Sequence, residues 1–273
     1  MSIFQIPKEI VSDIECAMNA FWWGAKYGSR KGIRWKSLSQ LCVPKDWGGI
    51  GFRRLDLFNT VFLCKQAWRL IQFPSSLVAR VFQAKYYPVS SFLDARRSSN
   101  PSFIWNSLSS TKEIIRQHSR WRIGNGNSIN IWRDRWLPDS SNPKISTPYF
   151  SFMEIFDVSS LFIDQSLKWD VDIIQNIFNH RYATLITNIP LPLINSEDKL
   201  IWMREDRGQF MVKSCYRALL GEKNVVNRKD WATIWKCNVP PKVSHVIDYP
   251  VGDWFLKNSR LLNKSQNNLL LMI

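Results

Sequence analysis

Acidic residues are few, histidine is rare and cysteine has no partner pattern in this 273-residue chain, and each shortage excludes something. The three histidines (His118, His180, His245) have no serine or cysteine beside them in a nucleophile motif, so their spacing invites no acyl-transfer site. The five cysteines (Cys16, Cys42, Cys64, Cys215, Cys237) are odd in number and lack short pairings. That argues against a disulfide framework and for a reducing compartment. Met1 to Pro7 has neither a basic n-region nor a long apolar h-region, which excludes a signal peptide. Near the C-terminus the longest purely apolar run, Leu269 to Ile273, is far too short to span a bilayer. The expectation is a soluble intracellular protein with no membrane partner.

What is abundant is positive charge. Thirty-seven Lys and Arg face 22 Asp and Glu, giving a net charge of +15 and a pI near 9.8. Residues 1–138 hold 21 Lys/Arg against 8 Asp/Glu (+13), and residues 139–273 hold 16 against 14 (+2). A cationic field concentrated in one half is the footprint of a polyanion partner. Tryptophan is the second excess: nine of the 14 precede position 139. Most such rings serve cores, and the few left over are candidate stacking platforms.

Periodicity predicts a mainly helical α+β protein, with a helical N-terminal part carrying a small hairpin and then a smaller α+β part. Pro7 opens a helix to about Trp23, whose apolar face is Ile10, Ile14, Ala17, Met18, Phe21 and Trp22. A short helix is expected around Trp35 to Leu41, then a glycine turn at Gly48-Gly49. The strongest helix is Leu55 to Ile71: Leu57, Val61, Cys64, Trp68 and Ile71 form its stripe, and Lys65 and Arg69 share the other side. Helices at Ser76–Tyr86 and Phe103–His118 follow.

Gly124-Asn125-Gly126-Asn127, between Trp121-Arg122-Ile123 and Ser128 to Trp132, reads as a hairpin because Asn-Gly fits a type I′ turn. The same loop resembles part of a glycine-rich phosphate loop but lacks the third glycine and the helix. A linker is expected over 139–149, dividing a basic part (1–138) from a second part (150–273). That second part should hold helices near Val171–Phe178, Tyr182–Thr187, Ser214–Leu220 and Trp231–Lys236. A hairpin joining Leu200–Met203 to Gln209–Val212 is also expected.

The nucleic-acid-binding candidates are Arg30, Lys31, Arg34, Lys36, Arg53, Arg54, Lys65, Arg69, Lys85, Arg120 and Arg122, with Trp23 and Trp35 as rings. Arg80, Arg96, Arg97, Trp47, Tyr86 and Tyr87 are wider members of the same set. The acidic residues Asp170 and Asp172, Glu197-Asp198 and Glu205-Asp206 are read as caps and solvated turns. No catalytic residue, metal ligand set or cofactor is expected. The expected partner is RNA or DNA, held with little sequence preference.

Many short blocks occur in an order that resembles one family. They are Phe21-Trp22-Trp23-Gly24, Trp35 with Leu41-Cys42-Val43-Pro44-Lys45, Gly48-Gly49-Ile50-Gly51-Phe52-Arg53 and Phe58-Asn59. Lys65-Gln66-Ala67-Trp68-Arg69, Lys85-Tyr86-Tyr87-Pro88 and Pro101-Ser102-Phe103-Ile104-Trp105 follow. Trp121 to Gly126 and Ile131 to Pro138 complete the set.

The first 138 residues resemble the region downstream of the polymerase core in plant non-LTR (LINE-type) retrotransposon reverse transcriptases. Trp202, Gly208 to Tyr216, Trp231, Ile234-Trp235 and Val239 to Val243 resemble the start of the same elements' zinc-binding module. That module continues into Cys-x-x-Cys and His/Cys pairs, whereas this sequence departs from it after His245 and stops at Ile273. The family's polymerases hold two metal ions with an adjacent Asp-Asp pair, and the chain contains no Asp-Asp.

The resemblance implies a non-catalytic part that grips template or primer duplex, nuclear or mitochondrial in location. It also leaves open a relic reading frame, or an accessory to an RNA-directed DNA polymerase whose core is a separate chain. A scaffold for an acidic protein is a further alternative.

Overall fold

Proline and serine set the first helices. Pro7, at φ −55° and ψ 144°, stands as the N-cap of α1 (Lys8–Trp22), where its missing N–H costs no hydrogen bond. Gly24, at φ +69°, turns the chain away at the other end. Ser37 caps α2 (Leu38–Leu41) in a reciprocal box: its Oγ accepts from Gln40 N–H, and Gln40 Oε1 accepts from Ser37 N–H at 3.0 Å. The computed structural model describes residues 3–24, 36–45, 50–96, 99–139, 142–147, 156–163 and 166–221. The chain is a mainly helical α+β protein. Among the described residues no helix is long and apolar enough to cross a membrane.

Two compact units divide it: Ile6–Asn59 with Leu219–Ile273, and Met1–Gln5 with Thr60–Ala218. In the first, a small core of Leu38, Leu41 and Cys42 is covered by Trp22, Trp23, Ile50 and Phe52. Trp22 meets Phe52 edge-on at 5.0 Å, an arrangement that aromatic quadrupoles favour. The expected apolar face of α1 is a correction. Ile10 (49%), Ile14 (39%), Met18 (42%) and Phe21 (85%) are exposed, while Val11 and Ala20 are buried. Helical spacing says which side chains share a face; it does not say which face a neighbour covers. Gly48-Gly49, proposed as a turn, lies outside the described residues. Beside them, Gly51 adopts φ +81° and its N–H reaches Val43 O at 2.9 Å.

The second unit is built around α3 (Leu55–Gln72), from Thr60 on. Val61, Leu63, Cys64, Ala67, Trp68 and Leu70 are buried, and Lys65 and Arg69 face solvent. Ser76 caps α4 (Leu77–Tyr86), and Pro88 follows its end. The single helix expected over Phe103–His118 is two, α5 (Phe103–Ser109) and α6 (Lys112–His118). Ser110 Oγ donates to Ser107 O and buried Thr111 Oγ1 to Leu108 O, at 2.8 and 2.7 Å. These hydroxyls take carbonyls the continuing helix would have used. The break seats Trp105 in a ring cluster: Tyr86 stacks on it at 4.4 Å and 3°, and Phe92 meets it at 90°. Lys112 Nζ lies 4.9 Å from the Trp105 ring centre and donates to Ala95 O.

Neither expected hairpin exists. β1 (Ser119–Arg122) pairs antiparallel with β2 (Lys199–Trp202), so that Ser119 faces Trp202, Arg120 faces Ile201, Trp121 faces Leu200 and Arg122 faces Lys199. Ser128 to Trp132 turns away because Asn130 Oδ1 accepts from the N–H groups of Trp132 and Arg133, a local Asx arrangement. Ile131 N–H donates to Phe156 O and Ile129 O accepts from Val158 N–H, while Ser128 and Asn130 N–H go to the carboxylates of Asp198 and Asp134. After β2, Gly208 (φ +69°) accepts from Trp202 N–H, and the chain enters α9 (Val212–Leu220) instead of returning as a strand. Ile123, Ile129, Ile131, Trp136 and Leu137 share one core with Val158, Leu161, Ile174, Phe178 and Ile186, from a 3-10 turn (Val158–Leu161), α7 (Val171–Ile177) and α8 (His180–Thr187). Residues on both sides of 139–149 thus contribute to it.

Trp105→Ala should cost about 3–5 kcal/mol, because a fully buried indole leaves a cavity the stacked rings cannot fill. The urea unfolding midpoint of the full chain measures it.

Candidate nucleic-acid interface

The candidate cations divide by what holds them. Arg30, Lys31, Arg34 and Trp35, with Trp47 and Arg97, lie outside the described residues. In the first unit, Arg54 is held by Asp56, its Nε donating to Oδ1 at 3.2 Å. The Arg53 guanidinium lies 5.3 Å from the Phe58 ring centre. Trp23 is half-buried with its indole N–H on the Lys36 carbonyl at 3.1 Å, so its ring is built into the fold. In the second unit, Lys65 and Arg69 stand exposed four residues apart on α3, and Lys85 sits over Tyr86 at 5.3 Å. Tyr87 is buried.

Arg120 and Arg122 are brought together by β1. Strand alternation puts Ser119 and Trp121 toward the core with Leu200 and Trp202, and puts Arg120 and Arg122 on the other face. Arg122 is exposed directly across from Lys199, also exposed. Arg120, opposite Ile201, is half-buried, and that burial lowers its guanidinium pKa. Both ribbon edges are closed. Trp121 N–H donates to Arg135 O at 2.7 Å on the β1 side, and on the β2 side Gln72 Nε2 donates to Leu200 O at 2.8 Å.

The glycine loop that follows β1 does bind an anion, and the anion is internal. Asp198 Oδ1 accepts from the N–H groups of Gly124 (2.7 Å) and Gly126 (2.9 Å), and Oδ2 accepts from Ser128 N–H at 2.9 Å. Such converging backbone donors form a nest for negative charge. A Cβ at Gly124 would stand 2.2 Å from Ser196 O, so only glycine permits the approach, and Gly126 takes φ +72°. Glu197-Asp198, read from the sequence as a solvated acidic turn, is corrected at Asp198: the carboxylate is a structural anchor.

The uncharacterized mitochondrial protein AtMg00310 of Arabidopsis thaliana is 35% identical over 142 residues, covering 52% of this chain and 92% of that protein. The chain belongs to that protein's family. A second Arabidopsis thaliana relative, named "Putative ribonuclease H protein At1g65750", is 26% identical over 282 aligned positions, covering 98% of this chain. The chain spans 43% of that longer relative. No family model and no solved structure matches.

Three cations escaped the sequence-based set although they border the ribbon: Lys199 and Arg204 on or beside β2, and Arg135 along β1. Nothing local announced them, since β1 and β2 are far apart in sequence. Among the described residues no group of three or more His, Cys, Asp or Glu is arranged for a metal. Cys237 and His245 lie outside that set. Cys64 and Cys215, distant in sequence, are buried together. The contact with Cys215, then burial, pushes the Cys64 thiol up.

Asp198→Ala should cost about 3 kcal/mol, since three charge-assisted bonds vanish and their donors lose their partner. Asp198→Asn should recover part of this, keeping an oxygen for two glycine donors while placing an NH2 against Ser128. Urea unfolding of the three proteins checks the order.

Burial first, then the positive charges of Arg204 and Arg135, hold the His118 imidazole below its ordinary value. The unfolded chain binds that proton more readily, so this contribution to stability is full above about pH 6.5 and is lost as pH falls through the lower folded value. Partial burial raises half-buried Asp134 and Asp157, which act in the opposite sense, at lower pH. Unfolding measured from about pH 7.5 to about pH 5.5 should show stability falling, with a shallower fall in His118→Gln.

Proposed function

We propose that the chain is a fragment derived from a plant retroelement reverse transcriptase, which binds RNA or DNA through phosphate contacts and copies nothing by itself. The observation that carries this is the concentration of cations without carboxylate partners. Lys65, Arg69 and Arg122 stand on solvent faces with no ion pair among the described residues, inside a half whose charge balance is +13. Arg54 and Arg116 of the same half have carboxylate partners in Asp56 and Asp94, whereas these three cations do not. The match across nearly the whole chain to a longer relative named for ribonuclease H supports the retroelement origin. It also supports the reading as a piece of a larger enzyme. Contacts to phosphates carry register and affinity without base information, hence the low specificity.

The full chain should retain labelled RNA and DNA of unrelated sequence on a filter at low salt. If about six cations meet phosphates, affinity should drop on the order of a thousandfold between about 50 and about 200 mM salt. No retention at low salt, or affinity that stays flat as salt rises, overturns the reading.

A further inference from the structure

We infer that the solvent face of the β1–β2 ribbon is the phosphate grip, centred on Arg122 and Lys199, flanked by Arg120, Arg135 and Arg204, and fitted to a nucleic-acid backbone. The inference rests on the nucleic-acid reading above and adds where the strand lies. It draws two members, Lys199 and Arg204, from the half of the chain with almost no net charge.

Register is the first argument. Arg122 and Lys199 are directly opposed on one face, a pairing that repels in an isolated ribbon. Among the described residues no carboxylate ion-pairs with Arg120, Arg122, Arg135 or Lys199. Elsewhere this protein does supply one: Asp56 for Arg54, Asp94 for Arg116 and Asp139 for Arg181. Arg122 and Lys199, opposed, exposed and without a carboxylate on either, are placed to take an anion from outside.

Shape is the second argument. Arg120 and Arg122 are two residues apart on one strand, about 6.6 Å, so the charges form a row and not a cup. A row suits an extended polyanion better than a single phosphate. Gly208 closes over Ile201, a Cβ there standing 2.9 Å from Ile201 Cβ, so the half-buried Arg120 end is sheltered and the Arg122–Lys199 end is open. The opposite face is packed into the core through Leu200 and Trp202, and the Asp198 clamp fixes the loop beside the open end. The grip is preformed. Among the described residues no exposed ring belongs to this face, so backbone and not base is what it meets.

The test uses the full chain, a fluorescently labelled duplex and single strand of unrelated sequences, and anisotropy titrations over a salt series. Arg122→Gln with Lys199→Gln should lower the salt slope by about two and weaken binding at least tenfold at about 100 mM salt. Lys168→Gln with Lys213→Gln removes the same charge elsewhere and should leave the slope unchanged. Removing the opposed pair should also keep or raise the melting temperature, which separates lost binding from lost folding. Equal loss in both double variants would overturn the ribbon while leaving nucleic-acid binding intact. No binding by the parent protein at low salt would overturn both. Competition by polyglutamate as effective as that by nucleic acid would reassign the face to an acidic protein and overturn the inference.

Discussion

Three backbone N–H groups converging on one carboxylate hold the second unit in register. Asp198 immediately precedes β2, and the loop it captures immediately follows β1, so the clamp closes the ribbon at its Arg122–Lys199 end. A slip of one residue would move every side chain to the other face. Trp202 would then leave its partners, Trp68 at 5.7 Å, Phe210 at 4.7 Å and the Ser214 hydroxyl that takes its indole N–H. Arg122 would turn toward the core, at the cost of an unpaired buried charge. The burial of Leu200 and Trp202 and the outward row of cations are therefore consequences of the same constraint.

Local signals were legible and long-range ones were not. Asp170 was readable because a cap needs only its own next turn: it accepts from Ile173 N–H at 3.0 Å. The buried stripe of α3 followed from spacing alone, and Lys65 and Arg69 with it. Asn125-Gly126 misled because the dipeptide favours a tight turn whatever its flanks do. Here the turn wraps a carboxylate from a distant segment, and the flanking strand finds its partner there too. The break at Ser110-Thr111 was hidden because two hydroxyls decide it, and periodicity averages over hydroxyls.

The candidate site was half legible for the same reason. Arg120 and Arg122 stood out as cations in a basic stretch. Lys199 did not, because a charge balance by halves assigns it to the neutral side, and its opposition to Arg122 exists only once the strands pair. Chain halves are a poor unit for electrostatics when a single ribbon takes one strand from each. The α1 stripe is the converse case. Its residues were correctly grouped, but Ile10, Ile14, Met18 and Phe21 face solvent, and grouping alone said nothing about cover.

The tryptophans decide what kind of binding the protein can offer. Trp68, Trp105, Trp132, Trp136 and Trp202 are buried, several against other rings, and Trp136 and Trp169 use their indole N–H on backbone carbonyls. A ring enclosed on both faces cannot accept an unstacked base, and moving it out would cost the burial that holds the fold. The buried tryptophans among the described residues thus stabilise the scaffold, and what this scaffold presents along the ribbon is charge. Charge alone reads phosphates and not bases. On the proposed reading, such a protein would hold a strand wherever it met one, and selectivity between strands would come from outside these residues.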